Sequence, residues 1–418
     1  MSPRHAAPRR LRSARHARRV RSHPLARGTA LVVAAAVSFG ATGAATAYVR
    51  IEGNIATADV TDLLGERPVQ LTPVDPDDPN AGQALNILIM GSDVRDGENA
   101  AIGGAVEGMR SDTTILLHVS ADRQRVEMVS IPRDSHVEIP ACNRSDGTTS
   151  DARDSRFNEA FSIGSASGEV SDAAACTIRT VESLTGVFVH GWIVVDFAGF
   201  INMVDALGGI PMCIEQPMRS EKAALDLAAG NQTLDGRTAL AYARARTGEG
   251  LGDGSDIGRL GRQQKLLAAT ASEVLSKNIL TDSAGLYRFL TAATQSITTD
   301  PALGNIPNLA GLAFSLRNVP PGNITFLTVP IAAFPQDPNQ VVWTDEAEVV
   351  FEAIAQDRSI REALAPEPVE EPPAETPAPT DPSAPATPAP TTAPDPTEAP
   401  TPGVDPFSPA DIDPTVCG

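Results

Sequence analysis

Positive charge is scarce in most of this 418-residue chain. It has three lysines (Lys222, Lys265 and Lys277), and its formal net charge is −19. The first 27 residues hold nine arginines and no acid, so the remainder is more acidic still. A body of that sign is a poor nucleic-acid binder, because phosphate affinity comes from neutralising charge. Cysteine is equally sparse: Cys142, Cys176, Cys213 and Cys417. No CxxC and no cluster of Cys with His occurs, which excludes the usual zinc spacings. No internal repeat is present, which excludes solenoid architectures.

The basic arm, residues 1–27, is followed by Gly28–Val49, GTALVVAAAVSFGATGAATAYV, which lacks any charged residue. About twenty apolar residues suffice to cross a bilayer as a helix. The arginines upstream place the N-terminus in the cytoplasm and everything after Arg50 outside. Ala45-Thr46-Ala47 resembles a cleavage site, so a removable signal peptide is the rival reading, and an uncleaved anchor is favoured. Either way the body is exported. Four cysteines outside the cytoplasm form two disulfides in one of three connectivities. Cys142 and Cys176 flank one loop-plus-helix segment and are the expected pair, leaving Cys213 with Cys417.

Residues 50–83 read as an Asp- and Pro-rich extracellular linker. The folded domain is expected over 84–364. ALNILIM, TTILLHV and VEMVSI are apolar runs of strand length. Runs this continuous indicate strands covered on both faces, as in an α/β sandwich. Polar clusters stand at their ends: Asp93; Arg110 with Asp112; Arg133 with Asp134. Such clusters gather at one sheet edge, where open α/β sheets bind ligands. Arg156 opens a predicted helix. Helices are also expected over 173–184, 197–207, 234–243, 256–277, 284–298 and 345–356. Strands are expected near 192–197, to Cys213 and over 324–329. From about Ala365 the composition turns to Pro, Thr, Ala and acid, a tract that cannot fold alone.

The stretch Tyr242–Gln264, YARARTGEGLGDGSDIGRLGRQQ, concentrates Arg244, Arg246, Arg259 and Arg262 in an acidic body. If the backbone is extended, Arg244 and Arg246 leave on one side. Arg259 and Gln263 share a helix face. Paired guanidinium forks suit a multiply charged oxyanion, a phosphate or pyrophosphate. Cations mixed with carboxylates are what phosphoryl transfer needs. Each cluster alone is a weak signal.

Several motifs in order are far more specific than any one. NILIMGSD, RSDTTILLHVS, VSIPRDSHVEIP, RFNEAF, VDFAGFINMVDALGGI, LDGRTALAYARAR and DIGRLGRQQ, spanning 85–277, resemble the signatures of the LytR-CpsA-Psr family. The resemblance implies an α-β-α sandwich with a mixed central sheet, preceded by one transmembrane helix. It implies a membrane-anchored phosphotransferase that moves a glycopolymer from a polyprenyl-pyrophosphate carrier to peptidoglycan. By position, Asp93 and Asp112 resemble the ligands of Mg²⁺ (or Mn²⁺). Arg110, Arg133, Arg244, Arg246, Arg259 and Gln263 resemble the pyrophosphate-binding set. Arg156 stands where many members carry Lys. Asp93, Arg110, Arg133 and Arg244 are the catalytic candidates. Phe197–Val204 and Leu266–Val274 are candidate linings of a lipid pocket, or ordinary core faces. Two other readings use the same residues: a prenyl or nucleotide pyrophosphatase, and a non-catalytic wall-binding or regulatory protein. The Ala- and Arg-rich, Lys-poor composition suits a high-GC bacterium such as an actinomycete.

Overall fold

The computed structural model describes residues 24–70, 82–93, 109–251, 256–276, 283–295 and 297–365. The chain divides into two compact units, residues 1–50 and 51–418. The first unit is carried by the helix Pro24–Glu52. Its stretch Gly28–Glu52 has a mean hydropathy of 1.7 over its most apolar window, and none of that window is buried. By length and composition it is able to cross a membrane, though a signal sequence passes the same test.

The second unit is built on a mixed sheet. Its strands are β1 (Ala56–Thr57), β2 (Leu85–Ser92), β3 (Ser111–Val119) and β4 (Val126–Ile131). The hairpin β5 (His136–Ile139) and β6 (Arg153–Arg156) comes after them, then β7 (Gly191–Val195). Next come β8 (Ile210–Ile214), β9 (Met218–Ser220), β10 (Leu225–Leu227) and β11 (Gly230–Leu234). The chain closes with β12 (Ile297–Thr299), β13 (Ile324–Thr328), β14 (Ile331–Ala333) and β15 (Val341–Trp343). Among the described residues the main sheet has the order β1-β12-β7-β2-β3-β4-β13. β2 pairs antiparallel with β3 and parallel with β7, and β4 pairs parallel with β13.

The central strands are apolar on both faces because both faces are covered. Leu88, Met90, Leu116, Val129 and Leu327 join one cluster with Ile178 and Val181 of the helix Val170–Thr185 and with Val350 and Ile354 of the helix Asp345–Ala355. Their strand neighbours Leu117, Val119, Val126, Met128 and Phe326 turn to the other face, against Ala268 of the helix Asp256–Ser276. This is the expected α-β-α sandwich. Cys142 and Cys176 are bonded, with Cα atoms 5.2 Å apart across a 34-residue separation. A loop of that size stabilises by about 3–4 kcal/mol in the chain-entropy account. Cys213 is also disulfide-bonded, but the partner expected for it, Cys417, lies outside the described residues. So does the Pro-rich tail.

Three expectations need correction. Packing of the body begins well before Ala84: Val60 and Leu64 are buried in the main core, and β1 pairs with β12 at the sheet edge. Arg67 binds Glu182 through Nε and Nη2 and caps the carbonyl of Val189. The segment reads as linker because its apolar residues are few and its strand is two residues long. Arg156 ends strand β6 rather than opening a helix, and the helix starts at Glu159. The helix expected over 284–298 stops at Thr294, and Ile297–Thr299 forms β12, a strand too short for periodicity to reveal.

Candidate active site

The antiparallel pairing of β2, β3 and β4 brings the end of β2, the start of β3 and the end of β4 to one end of the sheet. A register shift between Gly91 and Ser92 marks a bulge there. Bulges re-aim side chains at sheet rims. Asp93 is 5% exposed and is locked to Arg110: its N–H donates to the Arg110 carbonyl (2.9 Å), and the Arg110 N–H donates to Asp93 Oδ1 (2.6 Å). Arg110 is thus placed by its backbone, with an exposed side chain. Asp112 accepts from Arg133 Nη1 at 2.5 Å, and Arg133 Nε donates to Asp134 Oδ2 at 3.2 Å. The three clusters at strand ends are therefore one constellation.

Asp134 is its hub. Besides Arg133, it faces Arg156 Nη1 at 3.8 Å and Arg246 Nη2 at 3.6 Å. Three guanidiniums share one carboxylate that is only 9% exposed. Arg156 also reaches Asp337 at 3.5 Å. Hydrogen bonds from Gln340 and Asn339, helped by the Arg156 charge, hold the Asp337 carboxyl at about 2. The sequence flags Asp134 only as the neighbour of Arg133. Its role as shared counter-ion comes from the β5–β6 hairpin, where His136 faces Arg156 across the ladder.

Arg244 and Arg246 do not lie on one extended strand. The helix Gly236–Arg244, capped by Asp235, ends at Arg244, and Ala245 then turns extended. Arg244 consequently stacks on the Phe197 ring, 4.4 Å from its centroid, while Arg246 goes to Asp134. Arg259 and Gln263 sit on the helix Asp256–Ser276, 2% and 7% exposed. Gln263 Nε2 donates to the Ala243 carbonyl at 3.1 Å, and its Oε1 is a buried acceptor with no hydrogen-bond partner among the described residues. Arg262 is buried too. Its Nη1 donates to Leu251 O (3.2 Å) and its Nη2 to Ala245 O (2.5 Å), clamping both ends of the loop that carries Arg246. Gly248 (φ 147°) and Gly250 (φ 70°) press that loop onto β9, where a Cβ would strike the carbonyls of Arg219 and Pro217. The sequence shows Arg262 as one of the arginine run and the glycines as a flexible loop between donor pairs; that Arg262 clamps the loop and the glycines allow its close approach comes from the structure. In the candidate lipid-lining stretches Phe197, Ile201, Val204, Leu266 and Ala269 are buried in the core, while Asn202 and Val274 are exposed.

The donor set can be tested for a metal. Asp93 and Asp112 sit at the ends of neighbouring strands; Asp93 Oδ1 accepts from the Arg110 N–H and Asp112 Oδ1 from Arg133 Nη1. Among the described residues no group of three or more His, Cys, Asp or Glu assembles a protein-only cage. Two carboxylates fit a hard ion such as Mg²⁺, which keeps waters and substrate phosphates as its other ligands.

The fold is an α/β sandwich with arginines and aspartates interleaved at one end of its sheet, side chains of the kind that bind oxyanions. The LytR_cpsA_psr family model matches residues 47–357, and the chain belongs to that family. It is 32% identical over 269 residues to a probable cell wall biosynthesis protein, LcpB, of Corynebacterium glutamicum, covering 63% of this chain and 58% of that protein. It is 28% identical over 231 residues to the polyisoprenyl-teichoic acid–peptidoglycan teichoic acid transferase TagU of Enterococcus faecalis, covering 55% of this chain and 66% of that protein. The chain thus spans little more than half the length of the corynebacterial relative. A LytR-Csp2A-Psr enzyme from Actinomyces oris shares the fold, with a TM-score of 0.51 at 21% identity over 72% of this chain and 96% of that one.

Proposed function

We propose that the protein transfers a glycopolymer from a polyprenyl-pyrophosphate carrier to a peptidoglycan hydroxyl. The observation that carries this reading is the convergence of Arg133, Arg156 and Arg246 on Asp134, beside Asp93 and Asp112. Arg133 and Arg156 also reach Asp112 and Asp337, and the side chain of Arg110 beside them is exposed; guanidinium forks gathered in this way suit a pyrophosphate. Family membership and the activity named for TagU support the same reading. The acceptor hydroxyl attacks the sugar-linked phosphorus in line. The new P–O bond forms as the bond to the bridging oxygen breaks, and polyprenyl phosphate leaves. Asp93, whose Oδ1 accepts from the Arg110 N–H, would take the hydroxyl proton. The arginines bind the pyrophosphate and stabilise the charge that develops on the leaving oxygen. Asp93 and Asp112 would hold Mg²⁺ (or Mn²⁺), which supplies charge neutralisation at the phosphates.

The apolar helix would anchor the protein, with the arginine-rich arm inside and the body outside the cell. The test is release of polyprenyl phosphate from a short-chain polyprenyl-pyrophosphate sugar, with and without peptidoglycan, for the parent, Asp93→Ala and Arg244→Ala. Acceptor-dependent release lost in both variants supports the transferase. Release without sugar transfer marks a pyrophosphatase instead, and tight lipid binding without turnover marks a binding protein.

A further inference from the structure

The helix Ile306–Leu316, IPNLAGLAFSL, contains no charged residue and buries none of its residues. Leu316 packs partly on the Val119–Phe326 cluster. Pro307, Ala310, Gly311, Ala313 and Phe314 are exposed, Phe314 to 64%. Arg317 ends the helix with its guanidinium 3.5 Å from the centre of the Phe314 ring. An uncharged, exposed helix on so acidic a protein calls for a partner that is itself apolar.

The place of this helix in the fold says which partner. It is fed by β12 through the turn at Asp300, whose carboxylate holds the N–H groups of Trp192, Ala302 and Leu303. β12 is paired with β1, and a Cβ on Gly304 would collide with the Thr57 side chain, so β1 and the start of this helix are packed together. β1 in turn comes after the membrane-length helix Pro24–Glu52 with only Gly53, Asn54 and Ile55 between. The sheet edge reached first from the apolar helix is the edge that presents the uncharged face.

We infer that the exposed face of Ile306–Leu316 seats in the interfacial layer of the lipid bilayer. Phe314 and the alanines enter the acyl boundary, and Arg317 stays at the headgroups. Such contact would hold the body where a membrane-borne substrate emerges. The inference rests on membrane insertion of the N-terminal helix, as proposed above.

The full chain in nanodiscs with brominated acyl chains tests it. Tryptophan is introduced singly at Phe314, at Phe39 of the N-terminal helix, and at Val349 on the opposite face of the sandwich, and the signal of Trp192 and Trp343 is subtracted using the parent chain. Phe314→Trp should lose emission comparably with Phe39→Trp, while Val349→Trp keeps its emission. Quenching of Phe39→Trp without quenching of Phe314→Trp overturns this inference alone. Absence of quenching at both positions overturns the anchor reading with it. A blue-shifted but unquenched Phe314→Trp signal indicates a second protein copy on this face and also overturns it.

Discussion

The two ends of the central sheet both bury charged groups, and they differ in how those groups are partnered. At the end away from Asp93, His118 is fully buried between Asn86 Oδ1 (2.7 Å) and Asp357 Oδ1 (3.1 Å). Arg125 closes the same network onto the carbonyl and carboxylate of Asp357. Glu127 accepts from the Ile360 N–H at 2.8 Å. Acids and bases there are matched, and the backbone of Ala121, Asp357 and Ile360 closes the network. At the other end, Arg133, Arg156 and Arg246 crowd one aspartate. The far network satisfies its groups within the fold, whereas the rim gathers guanidinium forks and carboxylates beside the exposed Arg110, the mixture that a pyrophosphate would use under the proposed function.

Substitutions should separate the two ends. The largest effect is expected at the rim. Arg246→Ala should lower kcat/KM for transfer by about 100- to 1,000-fold, the range for removing a donor that stabilises developing charge. Its thermal midpoint should stay near that of the parent. If activity survives while the midpoint collapses, the rim is structural and the comparison fails.

At the far end the effects should appear in stability. His190 accepts the Asn86 N–H on Nδ1 at 3.0 Å, which requires that nitrogen to be unprotonated. Burial, with the nearby Arg67 charge, pushes its pKa from 6.5 down to about 4. Because the folded state binds this proton less readily than the unfolded chain, stability is intact above about pH 6.5 and declines as pH falls towards 4. The loss amounts to about 3 kcal/mol below both values. Urea unfolding across that range checks it, and His190→Asn should flatten the slope. A slope unchanged by His190→Asn would remove His190 as its source.

Asp357→Ala should cost about 1–3 kcal/mol, because His118 and the Ala121 N–H lose an acceptor. KM for the lipid carrier should not move, and a KM change would show the two ends to be coupled. The smallest effect is expected at the clamp. Arg262→Lys keeps the charge but not the fork that spans Ala245 and Leu251. About 1 kcal/mol of positioning, roughly fivefold in KM, should be lost. An unchanged KM beside a lowered thermal midpoint would make Arg262 purely structural.

Much of this comparison is visible in the chain itself, and the limits have physical causes. The apolar runs of β2, β3 and β4 announce buried strands, and their polar ends announce the rim. Strands of two or three residues, such as β1 and β12, carry no periodicity, so the edge they form and the early start of the body stay hidden. The Arg244–Arg246 pair misleads because the helix ends between them, a boundary that local propensity places only loosely. The motifs in order identify the arginines, but no motif says that Asp134 gathers three of them or that Arg262 turns inward. Those facts come from tertiary packing of hairpin against sheet and helix against loop.

The central claim is that the rim is a pyrophosphate site. Its most direct test is calorimetric titration of the purified chain with a short-chain polyprenyl pyrophosphate and with the matching alcohol, in the parent and in Arg133→Ala/Arg246→Ala. The account predicts that the double variant loses affinity for the pyrophosphate by more than about tenfold, at least 1.4 kcal/mol, and binds the alcohol as the parent does. Equal pyrophosphate affinity in parent and variant would contradict it.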